Sequence, residues 1–308
     1  MSDIVRIRQQ NIDPIRYRMV LRTIWIAVIG NGILALIKGG AAWVTGSTAV
    51  LAAAVDSITD LGYTGFLAWG LWLSQQPADS DHPQGHGRIE PLVSTVISLM
   101  MGFAGFEVTR RAIISLFGTP AEFNWGLPAV VLVISGLAKI VMYYLVRRVG
   151  KEGSSPAIDA FARDNLSDVL SSTAALIGVI AATRIHPLAD PIAALVVAVW
   201  IFRNVWEILS ENLGYLTGKA PPSELVDRIQ SVAFDVEGVL GVHRVIADYV
   251  GPQLRVLLHV DLAQDITFAA AHDISEAVQD AVEAIPEVDL AHVHLEPIHQ
   301  QETDTASD

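Results

Sequence analysis

The sequence predicts six membrane-spanning helices followed by a small α+β domain of αββαβ order. Three observations lead there. Only 17% of the 308 residues are charged while 52% are apolar, whereas an ordinary soluble chain carries about 25% charged residues. The apolar residues are gathered into six long stretches. After Gly218 the pattern changes to short, periodic, charged segments.

A bilayer core takes roughly 20 apolar residues per helix. Stretches 22–44, 48–73, 91–117, 125–146, 156–183 and 187–209 meet that length, within a membrane region spanning 22–212. They are separated by Thr45-Gly46-Ser47, a polar loop at 74–90, and shorter breaks at 118–124, 147–155 and 184–187. The arm at 1–21 is polar and arginine-bearing, so no cleaved signal peptide is expected. Basic residues orient the stack. The arm and first span hold Arg6, Arg8, Arg16, Arg18 and Arg22, the second loop Arg88, and the fourth Arg147, Arg148 and Lys151. Of the alternate loops only the last holds one, Arg184. Both termini are therefore expected in the cytoplasm, with Arg110 and Arg111 snorkelling outward from the third span.

A hinge at 213–222 contains Lys219-Ala220-Pro221-Pro222. Beyond it, 223–236 has helical periodicity with Ser223 as cap. Segments 241–250 and 253–262 alternate as strands around the turn Gly251-Pro252. An amphipathic helix at 267–285 and a strand at 288–296 complete a domain covering 223–299, and 300–308 reads as a disordered acidic tail.

Composition also excludes functions. The net charge is −13, with the acids concentrated in the C-terminal third, which argues against nucleic acid. With no cysteine there are no disulfides and no thiolate metal sites.

Ionisable residues deep in a membrane are costly, and their default reading is functional. Asp56 and Asp60 lie in the second span, Asp164 and Asp168 in the fifth, each pair spaced i, i+4 on one helix face. If the two faces meet, four carboxylates converge. Four bare charges in a low dielectric repel, so without metal some hold protons, and a divalent cation expels them. Metal–proton exchange is the mechanism that linkage favours. The bland alternative is acids lining a watery vestibule. Lys38, Glu107 and Lys139 are read as structural charges open to pairing, with partners that the sequence does not identify.

Of nine histidines, His82 and His86 share the second loop with Asp79. Imidazole with carboxylate suits zinc and similar ions, although a solvated loop has the same composition. Further along, His292, His294 and Glu296 occupy the polar face of the last strand, opposite Ala291, Val293 and Leu295. With His243, His259 and His272 they form a second candidate metal cluster; His299 is read as a surface residue.

Asp56-Ser57-Ile58-Thr59-Asp60, Gly85-His86-Gly87-Arg88-Ile89-Glu90 and Asp164-Asn165-Leu166-Ser167-Asp168 together resemble the cation diffusion facilitator family, over nearly the whole chain. The resemblance implies a homodimeric, proton-coupled membrane exporter of divalent metals with no organic cofactor. It assigns Asp56, Asp60, Asp164 and Asp168 to transport, and Asp79, His82 and His86 to a loop site. It also assigns His243, His259, His272, His294 and Glu296 to a cytoplasmic site joining two protomers. Zinc members usually carry histidine where this chain has Asp164. An all-carboxylate set is harder and favours manganese, with zinc or ferrous iron as alternatives. Residues 213–218 contain no acid to face Arg88, Glu211 being the nearest, which leaves a charge interlock at the dimer hinge open. Rival classes are weaker. His-Glu-x-x-His and Gly-x-Gly-Asp protease patterns are absent. A non-transporting metal sensor has no need of intramembrane aspartates, and paired aspartates that trap an ion suit a carrier better than a channel.

Overall fold

A computed structural model describes residues 14–45, 48–117, 127–150, 155–184, 186 and 188–298. The expected arm through residue 13, the turn at Gly46 and Ser47, the breaks at 118–126 and 151–154, His299 and the acidic tail lie outside the described residues. Two compact units divide between Leu213 and Gly214.

The first unit is helical. Its elements are α1 (Pro14–Thr45), α2 (Thr48–Ser74), α3 (Ile89–Phe117), α4 (Leu127–Gly150), α5 (Pro156–Arg184) and α6 (Ala189–Thr217). Three of these contain stretches long and apolar enough to cross a membrane among the described residues: Tyr17–Val44, Ile89–Phe117 and Pro191–Thr217. The other three carry Asp56, Asp60, Lys139, Asp164 and Asp168. Helix α1 is described from Pro14, inside the stretch expected to be an arm. Helix α6 runs to Thr217, past the expected start of the hinge. Gly218 stops it: its φ is +70°, and the next amide, Lys219 N–H, donates back to Gly214 O at 2.9 Å. That bond closes a Schellman-type cap, which glycine adopts without a Cβ penalty.

The distribution of polarity in this unit is that of a membrane protein. Trp25, Phe103, Phe106 and Trp206 are exposed on its outside. Thr23, Asn31, Ser94, Ser98 and Asn165 are buried. In lipid an exposed aromatic surface costs nothing, while buried polar groups find partners between helices. Asn212 Nδ2 donates to Ser94 Oγ (2.8 Å), and Ser94 Oγ donates to Pro156 O (3.2 Å), joining α6, α3 and α5. Close packing also depends on a missing side chain. A Cβ on Gly70 of α2 would meet Val93 Cγ2 of α3 at 2.2 Å.

The second unit contains α7 (Ser223–Phe234), β1 (Gly241–Val250), β2 (Gln253–Leu262), α8 (Phe268–Glu283) and β3 (Val288–Pro297). The sheet order is β1-β2-β3, with β1–β2 antiparallel and β2–β3 parallel. The hairpin turn uses Gly251 at φ +71°, and the parallel pair needs the α8 crossover. Leu254, Val256, Leu258 and Val260 alternate inward from β2 and bury against Ile229 and Ala233 of α7 and Val278 and Val282 of α8. Burying each large aliphatic side chain contributes about 1.5–3 kcal/mol. The opposite face of β2 then holds His259 at the polar side of the sheet. Ser223 is not the cap expected of it. Pro222 occupies the N-cap position and Ser223 is the first helical residue, without a side-chain capping bond. On α8 Thr267 caps, accepting from Ala270 N–H.

Candidate functional site: one charged cluster between helices and two imidazole–carboxylate groups

Helices α2, α4 and α5 bring their charged side chains to one place. Lys139 Nζ of α4 lies 3.0 Å from Asp60 Oδ2 of α2 and 2.7 Å from Asp168 Oδ2 of α5. The lysine side chain is only 8% exposed. Tyr63, less than one turn beyond Asp60, donates its hydroxyl to Asp164 Oδ2 at 3.0 Å. Asp60 and Asp168 are therefore bridged by one ammonium, while Asp164 is held by a phenol from the facing helix. The side chain of Asp56 lies outside the described residues. Behind Asp60, Thr64 Oγ1 donates to the Asp60 carbonyl (2.7 Å) and accepts from Asn31 Nδ2 of α1 (2.7 Å). This buried chain fixes the turn of α2 that carries the acid.

Two participants escaped the sequence reading. Lys139 is read from sequence as a structural charge open to pairing, and the acids it pairs with are those of the candidate site. Tyr63 was not singled out, although it stands at i+3 from Asp60, in contact range for the same face. Glu107, by contrast, pairs within its own helix, accepting from Arg110 and Arg111 at 2.7–2.8 Å. Those two arginines are therefore tied to an acid as well as directed outward.

In the loop after α2, backbone geometry assembles the side chains. Asp79 Oδ1 accepts from the amides of Asp81 (3.0 Å) and His82 (2.6 Å). The His82 amide bond is the main reason the Asp79 carboxyl is held below its ordinary range. Gly85, at φ +92°, turns the chain back. His86 Nε2 then lies 3.4 Å from Asp79 Oδ2 and His82 Nδ1 3.4 Å from Asp79 Oδ1. The three ligand-type atoms fall within 4.8 Å of one another. His86 is 4% exposed, and its Nδ1 sits 3.3 Å from Gln76 O. A proton donated there leaves Nε2 with its lone pair toward Asp79, the arrangement that orients metal-binding imidazoles.

The sheet builds the other group. His259 and His294 are register partners on β2 and β3, as are Asp261 and Glu296. His259 Nδ1 lies 2.6 Å from Glu296 Oε1, and His243 Nε2 3.6 Å from Glu296 Oε2. His294 Nε2 is 3.7 Å from Glu296 Oε1. The hydrogen bond from His259, followed by the neighbouring imidazoles, holds the Glu296 carboxyl below its ordinary range. His243, His259 and Glu296 offer donor atoms within 4.8 Å, a nitrogen–oxygen set that fits a borderline divalent ion. His243 reaches it through a bulge, since the register shifts between Val242 and Arg244 and leaves His243 as the extra residue. Simple alternation does not reveal that. Asp261, also unflagged by sequence, accepts from His243 Nδ1 at 3.0 Å and orients the ring. His272 is not brought to this group within the chain: it sits on α8, 3.4 Å from Glu276.

Comparison with known proteins agrees with this architecture. Residues 24–217 match the cation efflux transmembrane domain, and 221–298 match the cytoplasmic domain of cation efflux proteins. A transporter of Methanocaldococcus jannaschii is 32% identical over 280 residues, covering 91% of this chain and 99% of that protein. The manganese efflux system proteins MneS and MneP of Bacillus subtilis are each 28% identical, covering 90% of this chain and 95% of their own length. The chain is a member of the cation efflux family, a multi-pass membrane protein that exports metal cations.

Proposed function

We propose that this protein exports divalent transition-metal ions in exchange for protons, with manganese favoured over zinc or ferrous iron. The observation that carries the reading is the convergence of Asp60 on α2 with Asp168 on α5 around a single ammonium group, with Asp164 of α5 joined to α2 through Tyr63. Carboxylates gathered from two helices form a seat for a cation, and Asp56, a turn before Asp60, completes the proposed ligand set. When the metal leaves, the acids need other positive charge, and protons supply part of it. Coupling of metal efflux to proton entry follows from that exchange. All-oxygen ligation favours manganese over softer-binding ions, and two relatives are named for manganese efflux.

The region 22–212 acts as the transport domain, with both termini in the cytoplasm, and 223–299 as a metal-binding dimerisation domain. Asp79, His82 and His86 bind metal in the loop. His243, His259, His294 and Glu296 bind metal on the sheet. His272, remote from that group in its own chain, completes it from the second protomer of a homodimer.

Purified protein reconstituted into liposomes, with manganese and pH gradients imposed independently, tests the reading. Asp60→Ala removes a ligand and a proton acceptor, so manganese flux should fall to background in folded protein. Wild-type flux in Asp60→Ala removes the transport-site assignment, and flux indifferent to the pH gradient removes the antiport.

A further inference from the structure

We propose that Lys139 is a tethered cation that occupies the transport site in the metal-free carrier and competes with the metal for Asp60 and Asp168. The inference rests on the transport-site reading above and adds a residue that sets how tightly the site holds its cargo. Three observations carry it.

The first is position. Lys139 Nζ takes the Oδ2 atoms of both Asp60 and Asp168, from two different helices, at 3.0 and 2.7 Å. A metal held by those same atoms cannot coexist with the ammonium, since two cations would share one pair of carboxylate oxygens at contact distance. The second is burial. At 8% exposure the side chain lacks the water that an intramembrane lysine otherwise needs, so its hydration has been exchanged for carboxylates. Three arginines of this unit that bind acids on their own or neighbouring helices are more exposed. Arg163 (26%) joins Asp159 and Glu207, and Arg110 (51%) and Arg111 (76%) join Glu107, all away from the aspartate cluster. The third is the division of partners. Asp164 receives the Tyr63 hydroxyl, leaving Asp60 and Asp168 to the ammonium.

A lysine suits this role because its charge is a compact point on a four-carbon stem that can swing aside. The metal-free site is then never a bare group of repelling acids. Metal entry displaces Nζ, and metal release is assisted by its return. Lys139 thus lowers equilibrium affinity and speeds discharge.

The test uses the full-length protein, with manganese binding measured by calorimetry in detergent and transport measured in liposomes. Lys139→Met keeps the length and loses the charge. It should bind manganese at least tenfold more tightly, about 1.4 kcal/mol, with a lower KM and a lower maximal rate. Lys139→Arg, keeping the charge, should retain the weaker wild-type affinity. Unchanged or weakened binding by Lys139→Met overturns the proposal, as does Lys139→Arg behaving like Lys139→Met. Should Lys139→Met fail to yield folded protein, Lys139→Gln carries the test by the same criteria. Asp60→Ala in parallel separates the two levels. If it binds and transports normally the transport-site reading fails, whereas loss of transport in Asp60→Ala with unaltered binding and transport in Lys139→Met removes the role of Lys139 alone.

Discussion

Asp168→Asn, made alone and together with Lys139→Met, probes whether the buried ammonium depends on its carboxylates. At 2.7 Å and an effective dielectric constant of about 20, the gross attraction between Lys139 and Asp168 is about 6 kcal/mol. Desolvation offsets most of it, and the Asp168 side chain is 42% exposed, so water weakens it further. Breaking a buried pair from one side costs about 3–5 kcal/mol. Lys139 keeps Asp60 at 3.0 Å, which places the loss in Asp168→Asn lower, at about 1–3 kcal/mol. Removing the ammonium as well should cost less than the two single losses added together, because Lys139→Met by itself already forfeits the pair that Asp168→Asn breaks. The assay is thermal unfolding of the full-length protein in detergent with a metal chelator. The loss of melting temperature in the double variant should be smaller than the summed losses of Asp168→Asn and Lys139→Met. Losses that simply add, leaving the double variant the least stable, would show that the two groups are not energetically coupled and refute the bridge.

Other outcomes follow from the cytoplasmic group and from ligand hardness. Glu296→Gln should reduce the rise in melting temperature on adding zinc or manganese, since a ligand of the folded state is lost; an undiminished rise would exclude Glu296 as a ligand. In metal-free protein the sign with pH is set by the depressed Glu296 carboxyl. Its contribution is present above the unfolded glutamate value of about 4.3 and fades as pH falls through the lower folded value. The melting advantage of wild type over Glu296→Gln should therefore shrink in acid, and an advantage that grows instead would contradict the assignment. Asp164→His replaces a hard oxygen with imidazole and should raise the zinc-to-manganese transport ratio about tenfold, equivalent to ~1.4 kcal/mol. An unchanged ratio in competition transport would show that selectivity is set at other residues.

Much of the fold was legible because it depends on local periodicity. Long apolar stretches marked the helices of the first unit, and alternation around Gly251-Pro252 marked β1 and β2 at the residues where they occur. The i, i+4 spacing likewise placed each acid pair on one helix face, since a helix repeats every 3.6 residues whatever surrounds it. Termini were less legible: Gly218 sets the end of α6 through a conformational preference that apolar content does not report.

The partners of the charges were decided only by tertiary structure. Lys139 stands 79 residues from Asp60, and Tyr63 stands 101 residues from Asp164. Whether such groups touch depends on how each helix is rotated about its axis when it packs, and no spacing within one helix contains that angle. His243 follows the same rule at smaller scale, because a bulge in β1, not strand alternation, aims it toward Glu296. Sequence by itself determined which elements form and which residues are costly enough to need a partner. Packing determined the partners, since a buried charge is stabilised by whichever opposite charge the neighbouring helices bring within hydrogen-bonding distance.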